Sequence, residues 1–342
     1  MSRARAAATA LPVEHLPPAT VVEPRFAPPW WLKAAHTQSI LASVQPRRYG
    51  VLRRARALLA ASEAVVLDCG DGVRLSGYYA ARARAEGLVV LIHGWEGGAD
   101  SSYVLSAGAH LHELGYAVFR LNLRDHGDSY HLNAGIFHSC RLAEVIGAVG
   151  AVQERYRPER LALAGFSLGG NFALRVAADA AGVPIERAVA VCPVLDPART
   201  MVALDRGASI YQRYFIRKWR RSLSRKALLW PGLYDFSVLD GHANLEQMTD
   251  YLVGAYTEFD SLQGYLHGYA ITGSRLSSLA VPSTILAALD DPIIPAEDLG
   301  RLARVPALTV TVTASGGHCG FVDSVAGPSF ADRYLAELLG AR

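Results

Sequence analysis

Hydrophobic and polar residues follow an alternating pattern from about residue 62 to the end of the chain. Short apolar runs predict strands, and longer stretches with apolar residues three or four positions apart predict helices. The predicted strands cover residues 64–67, 73–79, 88–92, 117–121, 161–164, 188–192, 284–289 and 308–313. The predicted helices cover residues 102–114, 140–156, 168–181, about 296–303, and a last segment that ends near residue 339. This alternation predicts an α/β fold with a mostly parallel sheet of about eight strands, flanked by helices.

The alternation is interrupted between about residues 194 and 280, where the strand pattern is absent. An insertion of this length between two core strands is typical of a cap over a binding site. We expect the insertion to be mostly helical and to shape an apolar pocket with its aromatic side chains. These aromatic residues are Tyr211, Tyr214, Phe215, Trp219, Trp230, Tyr234 and Phe236.

Basic residues crowd one stretch of the same insertion. They are Arg213, Arg217, Lys218, Arg220, Arg221, Arg225 and Lys226. We interpret them as the solvated face of a helix whose apolar face lies on the core. The alternative is a cap helix that makes peripheral contact with an anionic lipid surface.

The N-terminal segment, residues 1–60, is interpreted as a tail followed by a docked arm, and residues 61–342 as one domain that contains the insertion. The alanine-rich start resembles a signal peptide, but Pro12 and Glu14 cut its apolar part short. Further along, Trp30 and Trp31 stand side by side. We expect these two large aromatic side chains to pack onto the main domain.

Composition narrows the class of protein. Of the 342 residues, 51% are hydrophobic and 19% are charged, which favours a packed core over disorder. A net charge of +3 does not suggest a nucleic-acid partner. The apolar stretches stay shorter than the roughly 18 residues that span a bilayer. The four cysteines, Cys69, Cys140, Cys192 and Cys319, form no CxxC pair, which favours reduced thiols in a cytoplasmic protein.

A GxSxG motif spans Gly165–Gly169 and follows a predicted strand directly before a predicted helix. This context is what a nucleophile elbow requires, because the serine must lie on a sharp turn between strand and helix. The hydroxyl then projects above the sheet, and the positive end of the helix dipole favours developing negative charge. We therefore expect Ser167 to be a catalytic nucleophile.

The loop after the predicted strand 88–92 reads His93-Gly94-Trp95. In folds with this elbow, one backbone N–H of the oxyanion hole comes from this loop and the other from the residue after the nucleophile. We assign these two donors to Trp95 and Leu168. Gly94 allows the loop to approach the serine, and His93 is expected to brace the loop by hydrogen bonding.

A serine nucleophile needs a base, and the base needs an acid that fixes its tautomer. Of the histidines after Ser167, His318 alone follows the last predicted strand, between glycines that let a loop carry it inwards. The acid is expected in the turn Asp290-Asp291-Pro292. We favour Asp291, and Asp290 is the alternative, because a shift of one residue exchanges the directions of the two side chains.

Metal and cofactor chemistry is not indicated by the sequence. His126, His131 and His138 lie in one loop with two aspartates, but their spacing matches no zinc pattern, and we assign them to turns and hydrogen bonds. A serine at the elbow favours acyl transfer over the carboxylate-nucleophile chemistry of dehalogenases and epoxide hydrolases. The expected partner is therefore a small-molecule ester or a lipid-like ester, without a cofactor or a metal.

Several motifs together resemble the YheT-like α/β-hydrolases, the bacterial relatives of the eukaryotic ABHD1/ABHD3 group. They are Pro28-Pro-Trp-Trp-Leu, His36-Thr-Gln-Ser-Ile40, His93-Gly94, Gly165–Gly170, Tyr211-Gln-Arg-Tyr-Phe215, Glu258-Phe259-Asp260, Asp290-Asp291-Pro292 and Gly317-His318. The resemblance covers roughly residues 26–335. It implies the α/β-hydrolase fold, a triad of Ser167, Asp291 and His318, and hydrolysis of short- to medium-chain or lipid-like carboxylic esters. The alternatives are a non-catalytic binding module of the same fold, or an acyltransferase or amidase with the same triad.

Overall fold

Strands buried on both faces account for the continuous apolar runs in the sequence. The computed structural model describes residues 20–42, 44, 47–324 and 327–340. The strands are β1 (Thr20–Val22), β2 (Ser62–Asp68), β3 (Arg74–Ala80), β4 (Leu88–Ile92), β5 (Ala117–Asn122), β6 (Leu161–Phe166), β7 (Ile185–Val191), β8 (Ser283–Ala288) and β9 (Leu308–Thr313). They form one sheet in the order β1-β9-β8-β7-β6-β4-β5-β3-β2. All neighbouring pairs are parallel except those of β3 with β2 and with β5.

Helices cover both faces of the sheet. They are α1 (Ala35–Leu41), α2 (Arg47–Arg54), α3 (Arg56–Ala60), α4 (Ser102–Glu113), α5 (Leu142–Tyr156), α6 (Leu168–Asp179), α7 (Pro197–Arg206), α8 (Ser209–Leu229), α9 (Leu245–Tyr256), α10 (Leu262–Gly268) and α11 (Phe330–Leu338). Short 3₁₀ helices cover Trp30–Leu32, Ser237–Gly241 and Ala296–Arg301. Alternate residues of β4 point to opposite layers. Val90 and Ile92 pack in the layer of α5 and α6, and Val89 and Leu91 in that of α4 and α11.

The predicted α/β fold is confirmed, and the eight predicted strands are present as β2 to β9. The ninth strand, β1, was not predicted. It lies in the segment that we interpreted as a tail, and it pairs with β9 at the edge of the sheet. The rest of that tail, residues 1–19, lies outside the described residues.

The prediction that Trp30 and Trp31 pack onto the main domain is wrong. Their side chains are 87% and 52% exposed, whereas the neighbouring Leu32 is buried. The three residues form a single 3₁₀ turn, so their side chains point in different directions, and only Leu32 points towards the core. A pair of adjacent aromatic residues therefore did not reveal which side chain anchors the arm.

The segment between β7 and β8 contains α7, α8, α9 and α10. We refer to residues 194–280 as the cap segment. It has a small apolar cluster of its own, in which Leu223, Leu239, Met248 and Leu252 pack with Ile136 of the core. Within the described residues, no helix has the length and apolar content needed to cross a membrane.

Candidate active site

Ser167 lies on the sharp turn between β6 and α6. Its backbone conformation (φ 55°, ψ −119°) is one that residues other than glycine rarely adopt. The turn is possible because its flanking glycines lie against backbone. A Cβ atom at Gly165 would lie 2.1 Å from the Gly169 carbonyl oxygen, and one at Gly169 would lie 2.2 Å from the Ile92 carbonyl oxygen. The strained serine and the two glycines match the geometry of a nucleophile elbow.

The structure brings together the three side chains that the sequence singled out for acyl transfer. His318 Nε2 lies 2.9 Å from Ser167 Oγ, and His318 Nδ1 lies 2.9 Å from Asp291 Oδ2. Because a carboxylate can only accept, His318 carries its proton on Nδ1, and Nε2 is free to accept the serine proton. The arrangement is a hydrogen-bonded chain from hydroxyl to imidazole to carboxylate.

The two neighbouring aspartates have different partners. Asp291 Oδ1 accepts the backbone N–H groups of Ile293 and Ile294 at 2.8 and 3.0 Å, which leaves Oδ2 for His318. Asp290 Oδ1 accepts the backbone N–H of Gly317 at 2.9 Å. Asp291 thus contacts the imidazole ring, while Asp290 holds the loop that carries it.

The electrostatics around His318 favour its protonated form. Burial lowers the pKa of His318, but Asp291 and the Cys319 sulfur raise it by more, so that the pKa lies well above the ordinary value. A base with a raised pKa has a high affinity for the serine proton, but it is available only after its own proton has been lost.

The backbone N–H groups near Ser167 differ in whether they already have a hydrogen-bond acceptor. Gly94 N donates to Tyr103 Oη at 3.1 Å, so this amide is occupied. Within the described part of the chain, the amides of Trp95 and Leu168 have no hydrogen-bond acceptor, and both residues line the cavity next to Ser167. These are the two donors that the sequence assigned to an oxyanion hole.

His93 braces this loop from inside the core. Its Nε2 accepts the backbone N–H of Leu123 at 3.1 Å, so its Nδ1 carries the proton and donates to the Gly94 carbonyl oxygen at 2.7 Å. The ring is fully buried, and burial holds its pKa well below the ordinary value. His93 is therefore a neutral structural histidine that fixes the carbonyl of Gly94.

The N-terminal arm supports the His318 loop, which sequence reasoning did not find. Ser39 Oγ accepts the backbone N–H of His318 at 2.8 Å. The fully buried Gln38 donates to the carbonyl oxygens of Leu32 and Val322 at 2.7 and 2.8 Å and accepts the Val322 N–H at 2.7 Å. Both residues lie in a motif of the family resemblance, but no local pattern shows a contact across some 280 positions.

A cavity of about 470 Å³ opens beside Ser167 and His318. Tyr211, Tyr214, Phe215 and Trp219 of the cap segment line it, together with Trp95 of the core. The Trp95 ring stacks on Phe215 with ring centroids 5.2 Å apart and meets Trp219 edge-on at 5.0 Å. The cap segment therefore supplies aromatic walls beside the candidate nucleophile.

The other three aromatic residues expected in this pocket lie elsewhere. Trp230 Nε1 donates to the Tyr130 carbonyl oxygen at 2.9 Å. Tyr234 and Phe236 pack in the apolar cluster of the cap segment. These side chains attach the cap segment to the loop of residues 124–138, whereas α7, the first half of α8, α9 and α10 all contribute residues to the cavity wall.

The basic stretch of α8 divides into anchors and exposed residues. Lys226 is buried and pairs with Asp125 at 2.8 Å. Lys218 donates to the Glu96 carbonyl oxygen at 2.7 Å, and Arg225 pairs with Asp128 at 2.8 Å. Another anchor is Arg220, which binds two carbonyl oxygens of the cap. The interpretation as a solvated face was therefore wrong for Lys218, Arg220 and Lys226, whereas Arg225 is exposed despite its ion pair.

Three further arginines of the same helix are exposed, and they lack the ion pair that Arg225 makes. Arg213, Arg217 and Arg221 lie four residues apart along α8 and form no ion pair within the described residues. The exposed Ile210 and Tyr214 lie at the start of this face and also line the cavity. A basic stripe thus leads to the apolar rim of the cavity.

The sequence and fold comparisons agree with this geometry. The chain matches the α/β hydrolase fold family over residues 87–325 and therefore belongs to it. Among curated proteins, none matches the chain.

Solved structures that share the fold include an esterase from Pyrococcus furiosus, which is 17% identical, with 82% of this chain and 89% of that chain covered and a TM-score of 0.52. The carboxylesterase CesB from Bacillus subtilis is 17% identical, with coverages of 86% and 100% and a TM-score of 0.52. A serine hydrolase from Cycloclasticus zankles is 15% identical, with coverages of 81% and 96% and a TM-score of 0.54. At these identities, the similarity establishes the fold.

Proposed function

We propose that the protein is a serine hydrolase that cleaves carboxylic esters through an acyl-enzyme intermediate. The observation that carries this proposal is the hydrogen-bonded chain Ser167–His318–Asp291, with both links at 2.9 Å, at the wall of an apolar cavity. Structural neighbours that are named esterase, carboxylesterase and serine hydrolase support the same class.

In the proposed mechanism, His318 Nε2 takes the Ser167 proton while Oγ attacks the ester carbonyl carbon. The carbonyl oxygen becomes an oxyanion that accepts hydrogen bonds from the Trp95 and Leu168 amides. Asp291 stabilises the imidazolium and holds its tautomer. His318 then protonates the leaving alkoxide, and water activated by the same imidazole hydrolyses the acyl-enzyme. Each step uses groups of this chain and water, so the mechanism requires neither a cofactor nor a metal.

The test of the proposed function is the variant Ser167→Ala, assayed on p-nitrophenyl esters and labelled with a fluorophosphonate. Loss of a triad nucleophile lowers turnover by about 10⁶-fold. We expect wild type to label and turn over and the variant to do neither, with an unchanged circular dichroism spectrum. Equal turnover by both proteins would refute Ser167 as nucleophile. Failure of wild type both to label and to cleave any ester would favour a non-catalytic binding module.

Short- to medium-chain or lipid-like esters are the proposed substrate class, because the cavity walls next to Ser167 are aromatic and aliphatic. Each buried methylene adds about 0.8 kcal/mol of binding, roughly a fourfold gain. We therefore expect kcat/KM to rise from acetate to hexanoate esters, and to rise less steeply in Trp219→Ala. A steady fall of kcat/KM from acetate upwards would contradict an acyl pocket.

Amides and alcohol acceptors remain the alternative substrates, since the same triad serves amidases and acyltransferases. Product analysis of one ester in water and in water with added alcohol separates hydrolysis from transfer. We also propose that the chain belongs to the YheT-like subgroup and resides in the cytoplasm, because its motifs match that subgroup and all four cysteines are free thiols.

A further inference from the structure

Two cysteines meet behind the His318 loop. Cys192 directly follows β7, and Cys319 directly follows His318 in the chain. The backbone N–H of Cys319 donates to Cys192 Sγ at 3.4 Å, and the Cys319 thiol lies 3.5 Å from the Val191 carbonyl oxygen. The two sulfur atoms and a ring nitrogen of His318 all lie within 4.8 Å of one another.

Both cysteines adopt backbone conformations that only glycine adopts easily, with φ of 44° at Cys192 and 55° at Cys319. Such strain persists where the surrounding structure enforces it, and it is concentrated at functional sites. Here the two strained turns lie side by side and hold the sulfur atoms within 4.8 Å of each other.

The two sulfurs differ in access and reactivity. Cys319 is among the residues that line the cavity beside Ser167 and His318, whereas Cys192 is not. Burial raises the pKa of Cys319, but a hydrogen bond from Cys192 and the charge of His318 lower it by more, to about 6. Burial raises the pKa of Cys192 well above the ordinary value. Cys319 is therefore the more acidic of the two thiols.

We propose that Cys319 and Cys192 form an oxidisable thiol pair, a modification site for hydroperoxides whose disulfide inactivates the enzyme. The effect on activity rests on the proposed hydrolase function. The Cys319 sulfur attacks the terminal peroxide oxygen, the O–O bond breaks, and water or an alcohol leaves. The Cys192 sulfur then attacks the resulting sulfenic acid, the S–O bond breaks, and water leaves. Two thiols are oxidised by two electrons in total, and one peroxide is reduced.

Inactivation follows from the position of His318. A disulfide requires the two sulfur atoms, which lie within 4.8 Å of each other, to approach to about 2.05 Å, so the turns that carry the two cysteines must shift. Because His318 is the preceding residue, its ring moves with the loop, and Nε2 leaves the position 2.9 Å from Ser167 Oγ. A metal ion is a weaker explanation for the cluster, since both ring nitrogens of His318 are already hydrogen-bonded.

The experiment treats wild type with hydrogen peroxide and measures two quantities, ester hydrolysis relative to the untreated protein and the cross-linked peptides by mass spectrometry. We expect wild type to lose most of its activity, to recover it with dithiothreitol, and to yield a peptide that joins residues 192 and 319. The matched control Cys140→Ala removes a half-buried thiol elsewhere, and we expect it to behave like wild type.

Two variants separate the roles of the thiols. Cys319→Ala should keep its own untreated activity under peroxide. Cys192→Ala should be inactivated without recovery in dithiothreitol, because an unresolved sulfenic acid oxidises further to sulfinic acid. Equal peroxide sensitivity of Cys319→Ala and wild type would overturn the inference.

The peptide measurement on wild type needs no variant and no activity. If the protein cleaves no ester but forms the cross-link, the inference of a thiol pair stands and the proposed function fails. Active protein without a cross-link after peroxide would overturn the thiol pair alone.

Discussion

Charged groups are held in different ways in two regions of the molecule. One region, called the rim below, is the edge of the sheet around Ser167. The other is the contact between the core and the cap segment. At the rim, the carboxylates of Asp290 and Asp291 accept backbone N–H groups, and the whole constellation is built on strand ends and strained turns. At the cap, the side chains of α8 reach across about 100 positions, as Lys226 does to Asp125. The rim is thus fixed by backbone geometry, whereas the cap depends on individual side chains.

This difference has an energetic meaning. A backbone N–H that holds a carboxylate is present whatever the neighbouring side chains are, so substitutions at the rim change chemistry more than folding. A buried ammonium and carboxylate are each costly without the other, so substitutions at the cap change stability. The predictions below test this division, in order of decreasing expected effect.

The largest effect is expected at the two aspartates of the rim. Asp291→Asn should lower kcat by about 10⁴-fold, because an amide no longer fixes the productive tautomer of the imidazole. Asp290→Asn keeps an oxygen that can accept the Gly317 N–H and should lower kcat far less. The measurement is kcat on one p-nitrophenyl ester, with thermal unfolding to show that both variants fold. The reverse ranking would make Asp290 the acid.

At the cap, Lys226→Ala should destabilise the protein by about 3–5 kcal/mol, because it leaves Asp125 buried without its partner. The matched control Arg221→Ala removes an exposed cation from the same helix and should change stability by no more than about 0.5 kcal/mol. Urea unfolding at pH 7 compares the two variants. Similar unfolding free energies in both would show that the cap does not depend on the buried pair.

The exposed arginines of α8 provide the next test. We propose that Arg213, Arg217 and Arg221 bring the cavity rim to anionic membranes, since each basic residue near such a surface contributes about 1 kcal/mol. We expect sedimentation with vesicles of phosphatidylcholine and phosphatidylserine, and its loss in the triple substitution to Glu. Vesicles of phosphatidylcholine alone are the control. Equal sedimentation of wild type with both vesicles would reject an electrostatic contact.

The smallest effect is expected in the pH profile. His318 must be neutral to act as a base, and its pKa is raised, so activity should be lost as the pH falls through that raised pKa. We expect kcat/KM at pH about 6.5, the ordinary histidine pKa, to be below half of its alkaline plateau. Glu96 lies at the contact between the core and the cap segment and serves as the matched control. Burial raises its pKa to about 7, although the hydrogen bond from Ser222 lowers it.

Glu96→Gln removes the titration at the cap and leaves the imidazole unchanged. We expect this variant to keep the midpoint of the acid limb. A shift of the midpoint in Glu96→Gln would show that Glu96, and not His318, causes the loss of activity at acidic pH.

The parts of the fold that the sequence predicts are those with a local cause. β4 is recognisable because it is apolar on both faces, and Ser167 because glycines must flank so tight a turn. β1 could not be recognised, since three residues at a sheet edge carry no period. The burial of Lys226 was also missed. The sequence of a basic helix does not show which of its lysines and arginines contacts a buried carboxylate, here that of Asp125.

The aspartate pair shows an intermediate case. The turn expected to carry the acid was recognisable from its position after β8, but Asp290 remained the alternative to the favoured Asp291. In the structure, Asp291 contacts His318, and Asp290 accepts the Gly317 N–H. Tertiary hydrogen bonds decide this choice, and adjacent residues of the same type carry no local information about it.

The arm described above couples the first part of the chain to the last. Ser39 and Gln38 hold the His318 loop across sequence separations of 279 and 284 positions. During synthesis the arm leaves the ribosome well before the residues of the His318 loop that it holds. Domains fold as units once their elements are available. If the proposed function holds, a growing chain has its nucleophile turn before it has its base, and it gains activity only after the His318 loop has been added and has docked on the arm.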